Sequence, residues 1–496
     1  MLCLLLFLAP ACAPDDPYPE QPNILLLLTD DQTYLAVGAL GNEEVRTPHL
    51  DRLVRGGTTF THAYNMGAWQ PAVCLASRAM LNSGRFVWAA DSLTRDWQAG
   101  NETVMNQNWA PLMRAAGYRT YMSGKWHVDA PAEQQFDVVA NVRPGMPWDR
   151  YPFADVMALR ARHDDNPPRD SLLALFPPGY NRPLTPTDST WSPSDPRYGG
   201  YWDGGKHWSE VLADDGEDFL ERAATEDAPF FLYLAFNAPH DPRQAPEEYV
   251  ARYRDGAQIA VPANFLPDYP YAGRIGNGPG LRDEDLAPFP RTELAVRTHR
   301  REYYASVTHL DAQVGRILEA LKATGQAENT IILFTSDHGL ALGSHGFMGK
   351  QNLYDHSVRV PLVLYGPGFK AGRKVSTPVY LQDIMPTALE LAGTEVPDYV
   401  NFRSLLPVLA DEDAEHHGPI YGSYVNYQRS IVRDGYKLIA YPDAGVLRLY
   451  DLEKDPEEMN DLFATEPARA EALFTELREL QTVVGDTLPL WWQAFN

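Results

Sequence analysis

The sequence predicts an α/β fold, a mixed sheet flanked by helices, with a smaller α+β subdomain built on an antiparallel sheet near the C-terminus. Three observations carry this. Continuous apolar runs of strand length recur along the chain, and helical stretches lie between them. From about residue 400 the pattern changes to short alternating segments joined by tight turns.

The first run, NILLLLT at 23–29, is continuously apolar from Ile24 to Leu28, as a strand buried on both faces requires, and leads into Asp30-Asp31. The same grammar recurs: 119–123 leads into GKWH, 229–236 into NAPHDP, 330–335 into SDHG, and 361–365 into GPG. Helices are expected at 75–82, at 103–116 before Gly117, and at 303–324. The last places Val307, Leu310, Val314, Ile317, Leu318 and Leu321 on one face and stops at Gly325. Residues 140–210 and 255–300 have little periodicity and read as long loops at the mouth of a site. The densest stretch, YGGYWDGGKHW, has the aromatic character that stacks on sugar rings, although ordinary loop packing explains it equally well. After 400, IYGSYV, RSIVRDGYKLIAYP and LRLYDL read as antiparallel strands, followed by a helix at 466–484. The expected division is a targeting segment and tether at 1–20, a catalytic domain at 21–400 and a C-terminal subdomain at 401–496.

Hydrophobic residues make up 44% and charged residues 22% of the 496, the balance of a globular chain that buries a core. Lys plus Arg number 42 against 66 Asp plus Glu, a net charge of −24. That excess argues against a nucleic-acid binder that works by broad phosphate neutralisation, and against adhesion to an anionic membrane. It leaves room for an anionic substrate held by a local cationic cluster. The N-terminal MLCLLLFLAPACAPDDPYPEQP has a short apolar run followed by small residues, the pattern of an export signal. Ala9-Pro10-Ala11-Cys12 loosely resembles a bacterial lipoprotein box, so the chain is expected to be exported, periplasmic or anchored to the outer membrane by a lipid at Cys12. Of three cysteines only Cys74 lies beyond this segment, so no disulfide framework is expected.

In open α/β sheets the ligand site lies beyond the carboxyl ends of the strands. Asp30, Asp31, Lys125, His127, His240, Asp337 and His338 all follow apolar runs directly. Capping explains any one of them, but not the whole set of endings together. Asp30, Asp31 and Asp337 are hard oxygen donors with no cysteine pair beside them, a composition suited to Ca²⁺ or Mg²⁺. Arg78, Lys125, His127, His240 and Lys350 add cations and proton carriers, as an oxyanion ester would need. Cys74 is expected at a helix N-terminus, with Arg78 one turn on and on the same face. A soft thiolate beside a hard cation is a poor match, which hints that the working group at position 74 is not a thiol.

These residues resemble the formylglycine-dependent type I sulfatases of the alkaline-phosphatase superfamily, in an iduronate- or choline-sulfatase-like branch. The hallmark C-x-P-x-R stands here as Cys74-Leu75-Ala76-Ser77-Arg78, followed by Ser83-Gly84-Arg85, with Ala76 in place of Pro. NILLLLTDDQ, GYRTYMSGKWH, NAPHDP and IILFTSDHGLALGSHGFMGKQNLYDHSVRVPLVLYGPG follow in family order, from residue 21 onward. The resemblance implies an alkaline-phosphatase-like fold and a maturation enzyme that oxidises Cys74 to formylglycine. It implies calcium held by Asp30, Asp31, Asp337, His338 and an oxygen at position 74. It also implies catalytic roles for Cys74, Arg78, Lys125, His127, His240 and Lys350: Lys125 and Lys350 on the sulfate oxygens, His240 as acid to the leaving alcohol, His127 as base to the second hydroxyl of the hydrate, and Arg78 steadying it. The expected substrate is a sulfated sugar or polysaccharide. The rivals are a phosphodiesterase or phosphonate monoester hydrolase of the same superfamily, and a non-catalytic glycan-binding lipoprotein in which Cys74 stays a thiol.

Overall fold

The structure is a computed structural model that describes residues 17–147, 151–164, 166–254, 259–411, 414 and 416–490. Cys3 and Cys12, with the export signal and lipid anchor read from them, lie outside the described residues.

A nine-stranded sheet forms the centre. Its strands are β1 (Asn23–Thr29), β2 (Thr58–Tyr64), β3 (Arg119–Lys125), β4 (Val138–Arg143), β5 (Phe230–Ala235), β6 (Thr330–Ser336), β7 (Arg359–Tyr365), β8 (Arg373–Val375) and β9 (Val379–Tyr380). The order is β8-β2-β7-β6-β1-β5-β3-β4, with β9 also paired to β2. Only β7 runs against its neighbours, so the sheet is mixed, as expected. β1 sits between β5 and β6 and is parallel to both, with Leu26 opposite Tyr233 and Leu333. Alternate β1 residues feed opposite layers. Ile24, Leu26 and Leu28 join a core with Trp109, Met113 and Leu389, while Leu25 and Leu27 join Leu53, Leu220 and Ile317. Both faces are dry from Ile24 to Leu28, which is why that stretch holds no polar residue, while the buried Asn23 before it accepts from the Phe230 amide at 3.0 Å.

The main helices are α1 (Val73–Ser83), α2 (Trp208–Ala223), α3 (Glu293–Ala323), α4 (Ile384–Leu391) and α5 (Pro467–Val484). The helix expected at 103–116 is two, Glu102–Met105 and Trp109–Ala115. Asn106 and Asn108 flank the break, and Pro111 sits in the first turn of the second piece, where no helical N–H partner is lost. The segment read as loop at 140–210 holds β4 and the helices Phe153–Arg162 and Arg169–Leu173. Those helices are short and weakly amphipathic, so their apolar residues give little period to read.

The smaller sheet comprises β10 (Ile420–Tyr424), β11 (Gln428–Arg433), β12 (Tyr436–Tyr441) and β13 (Val446–Asp451), antiparallel in succession, with α5 packed against it. Its fifth strand is not C-terminal. Gly67–Ala68, just before α1, pairs in parallel with Ser423–Tyr424. A Cβ on Gly67 would lie 1.8 Å from the Ser423 carbonyl oxygen, and its φ is +111°, so only glycine fits. Helix α1 is thereby sandwiched: Ala79 and Leu81 join the large-sheet core, and Val73, Ala76 and Met80 join the core under the small sheet.

Candidate active site

The carboxyl ends of β1, β3 and β6 and the N-terminus of α1 meet at one point. Cys74 is the second residue of α1 and is buried, as are Asp30, Asp31, Arg78, Lys125, Asp337 and Lys350. Each carboxylate has its own cation. Lys125 Nζ lies 2.5 Å from Asp30 Oδ2, Lys350 Nζ 2.6 Å from Asp31 Oδ2, and Arg78 Nε 2.7 Å from Asp337 Oδ2. Arg78 also donates from Nη1 to the Lys125 carbonyl at 2.5 Å, tying α1 to the end of β3. Three buried charges of each sign thus balance, which is what makes their burial tolerable.

The Cys74 Sγ sits in the middle. It donates to Asp30 Oδ1 at 3.2 Å and approaches Asp31 Oδ1 at 3.5 Å, while Lys350 Nζ donates to it at 3.1 Å. Burial pushes the thiol well above its usual range, and the charges of Asp30 and Asp337 push the same way. A thiolate is therefore disfavoured here despite two lysines, and a plain Cys74 is a weak nucleophile.

Burial raises the carboxyls of Asp30 and Asp31; Lys125 and Lys350 respectively oppose this, and the neighbouring carboxylates reinforce it. Asp337 is different. Burial acts against its charge, but Arg78, Lys125 and Lys350 together hold it well below the usual carboxylate range. Asp31 and His127 both adopt left-handed backbone, φ +67° and +51°, a conformation that Asp and His tolerate better than most side chains and that is concentrated at functional sites.

His240 follows β5. Its Nδ1 donates to the Asp241 carbonyl at 2.7 Å, which directs Nε2 inward, 3.6 Å from Asp31 Oδ2. Burial, then Lys350 and Lys125, push this imidazole well down. His127 is held at about 2 by burial and by Lys125 and Arg78, and its Nδ1 is buried without a partner. His338 is also buried, held at about 4 by burial and Lys350, with Nδ1 donating to the Gly339 carbonyl at 3.1 Å.

Donor atoms of Asp30, Asp31, Cys74 and His240 all lie within 4.8 Å of one another. Asp337 adjoins this group through the Asp31 amide, which donates to its Oδ1 at 3.3 Å, while its Oδ2 is taken by Arg78. The donor set suits a divalent cation, and the Lys350 ammonium, touching both Asp31 oxygens and Sγ, already stands in for one. All the residues expected at the site from sequence are brought to this end of the sheet. The tightest group, however, contains His240 rather than His338.

A supporting network was not visible in the sequence. Arg282 pairs with Asp241 and lies 3.0 Å from Asp283, Gln351 Nε2 donates to Asp283 Oδ2 at 2.8 Å, and the Lys350 amide donates to Gln351 Oε1 at 3.0 Å. The chain holds the loops of His240 and Lys350 together. The Tyr201 hydroxyl, from the aromatic stretch, donates to the same Asp241 carbonyl at 2.8 Å.

Comparison with known proteins agrees with this geometry. The sulfatase family profile matches residues 22–394, and that of the N-sulphoglucosamine sulphohydrolase C-terminal region matches 343–483. The chain is 30% identical over 460 residues to an arylsulfatase of Clostridium perfringens, covering 90% of this chain and 91% of that one. It is 26% identical over 562 residues to an N-acetylglucosamine-6-O-sulfatase of Bacteroides thetaiotaomicron, covering 98% and 90%. A solved structure in complex with its substrate D-glucosamine-2-N,6-O-disulfate has the same fold, with a TM-score of 0.68 at 23% identity over 95% and 99% of the two chains. The matched length and the ordered cluster of carboxylates, cations and Cys74 together make this chain a member of the sulfatase family, a sulfuric ester hydrolase.

Proposed function

We propose that the chain releases inorganic sulfate from a sulfate ester on a sugar or polysaccharide, with formylglycine at position 74 and calcium beside it. The observation that carries this is the Cys74 side chain. It lies at the start of a buried helix where three carboxylate–cation pairs converge, yet its thiol is pushed well up. Such a site is built around an oxygen nucleophile and an anion, not a thiolate.

When bound and formed, calcium supplies positive charge to the sulfate oxygens, and the formylglycine hydrate supplies one hydroxyl to attack sulfur and a second to expel sulfate. Asp30, Asp31 and Asp337 would hold the ion, with the position-74 oxygen and His338, as the family resemblance has it; His240 Nε2 converges on the same donors but is reserved for the proton. Lys125 from the end of β3 and Lys350 from the loop after β6 reach into the centre and orient the ester's anionic oxygens. Asp337, kept ionised by Arg78, accepts a proton from the group at position 74. His240 has one nitrogen fixed on the Asp241 carbonyl, so Nε2 is its proton-transfer atom. An anionic ester beside it offsets the two lysines and restores the proton it needs as an acid. His127, neutral with an unpartnered Nδ1, is the base of the pair.

The proposal includes a formylglycine-generating enzyme that acts on Cys74, and export to the periplasm or outer membrane with Cys12 as the lipid anchor. The apolar N-terminal run supports export. The test is sulfate release from a panel of sulfated glycans and from 4-nitrophenyl sulfate, beside 4-nitrophenyl phosphate and a phosphonate ester, with intact mass of the mature protein. Sulfate release accompanied by the mass of thiol-to-aldehyde conversion is expected. A preference for phosphate or phosphonate, or a fully retained thiol with no turnover, would sink the reading.

A further inference from the structure

Three residues beyond His240, Arg243 lines a separate cavity of about 150 Å³ that shares Asp241 with the site. Tyr180, Trp191, Tyr198 and Leu286 form much of its wall. Arg243 is 2% exposed. Its Nη1 meets His299 Nδ1 at 2.9 Å, and His299 Nε2 meets the Arg182 carbonyl at 3.0 Å. A carbonyl can only accept, so His299 is the Nε2–H tautomer and receives the Arg243 hydrogen bond as a neutral group. Arg243 Nε and Nη2 are buried with no partner. The one acid lining the cavity, Asp241, is taken by Arg282. The neighbouring Arg182 is different, since it is paired twice to Glu302 and covers the Trp191 ring at 4.9 Å. Trp191 adds another buried donor without a partner, Nε1.

A guanidinium buried without a carboxylate is costly, and each unmet donor adds to that cost. The unmet groups of this cavity are all donors: Arg243 Nε, Arg243 Nη2 and Trp191 Nε1. Only an acceptor with several oxygens completes them, and a negative one balances the charge. The aromatic wall suits the apolar face of a sugar ring. We propose that Arg243 is the anchor of a second anionic subsite, which binds a carboxylate or an additional sulfate carried by the saccharide whose target ester sits at Cys74. Resting on the reading of a sulfated-saccharide substrate, it narrows that class to polyanionic glycans.

The experiment uses the full chain and three sulfated disaccharides that differ in one group outside the target ester: neutral, carboxylate-bearing and bearing a second sulfate. Binding by calorimetry and kcat/KM are measured for wild type, Arg243→Gln and Arg243→Lys. Wild type should prefer an anionic disaccharide over the neutral one, and Arg243→Gln should cut that preference about 10- to 100-fold, the loss of a charge-assisted hydrogen-bond pair. Arg243→Lys, which keeps the charge without the fork, should retain part of it. The two anionic disaccharides tell carboxylate from sulfate. An equal affinity of wild type for neutral and anionic disaccharides overturns the subsite without need of any variant. So does a preference that Arg243→Gln leaves unchanged. A wild type that binds the anionic disaccharides selectively but releases no sulfate would overturn the hydrolytic reading and leave the subsite standing.

Discussion

Arg78→Met tests the charge balance on which the site is built. Arg78 Nε and Asp337 Oδ2 lie 2.7 Å apart with neither side chain exposed. At an effective dielectric constant of 20 their attraction is about 6 kcal/mol. Desolvation of both groups consumes most of this, so the intact pair adds little net stability. Removing Arg78 alone leaves Asp337 among Asp30 and Asp31 with one cation too few, and leaves the Lys125 carbonyl without its 2.5 Å donor. The expected loss is about 3–5 kcal/mol. Neutralising the stranded group as well, in Arg78→Met/Asp337→Asn, should recover about 2 kcal/mol or more of that loss, because paired polar groups removed together are nearly neutral. Urea unfolding of both single variants, the double variant and wild type gives the coupling energy directly. Sulfate release should be abolished in all three variants. Single-variant losses that simply add would refute the claim that Arg78 is held there by Asp337.

Gly67→Ala drives a Cβ into the Ser423 carbonyl and should destabilise the chain by about 2 kcal/mol or more, read by the same unfolding assay. The buried His345 stacks on Tyr354 at 3.8 Å and is held at about 4, by burial first. A depressed histidine adds stability above its unfolded value of about 6.5, and this is lost as pH falls toward 4, up to ~3 kcal/mol. His345→Gln should flatten that part of the stability-versus-pH curve, although it also loses the stacked ring at all pH values. Dialysis against a chelator should lower sulfate release, with Ca²⁺ restoring it better than Zn²⁺, as oxygen donors require.

The buried strands were the most legible part of the fold. NILLLLT, PFFLYLAF and TIILFT are apolar through their middle residues, Tyr233 apart, because both faces are covered, and each forms the strand expected, within a residue at either end. β2, TTFTHAY, was not read as a strand, since its Thr and His residues mask the period, while Phe60 and Ala63 join one core and Tyr64 the other. Helix α3 starts ten residues before its expected start because the charged stretch Arg297–Arg301 hides Val296 and His299, which are buried. Asp30, Asp31, Lys125, His127, His240, Asp337 and His338 were legible as site candidates because they lie at or just beyond strand ends, where the sheet has no other use for them, whereas the roles of Cys74, Arg78 and Lys350 were legible only through the family motif. Arg282, Asp283, Gln351 and Arg243 were not, because their partners lie far away in the chain or beyond irregular loops.

The seating of α1 also sets an order of events. Cys74 is buried at 2% exposure, and the segment just before it is completed as a strand only by Ser423 and Tyr424. About 350 residues separate these two halves, and a ribosome adding about 5–20 residues per second takes roughly 20–70 s to make them. During that interval Cys74 has emerged while the sheet that closes over its helix does not yet exist. An enzyme that converted Cys74 would therefore have to reach the chain before this sheet closes, and a thiol that missed that interval would be sealed in. If activity rests on the proposed formylglycine, the active fraction is set by competition between conversion and closure, and slowing the folding of the C-terminal sheet should raise the yield of converted chains without touching the site.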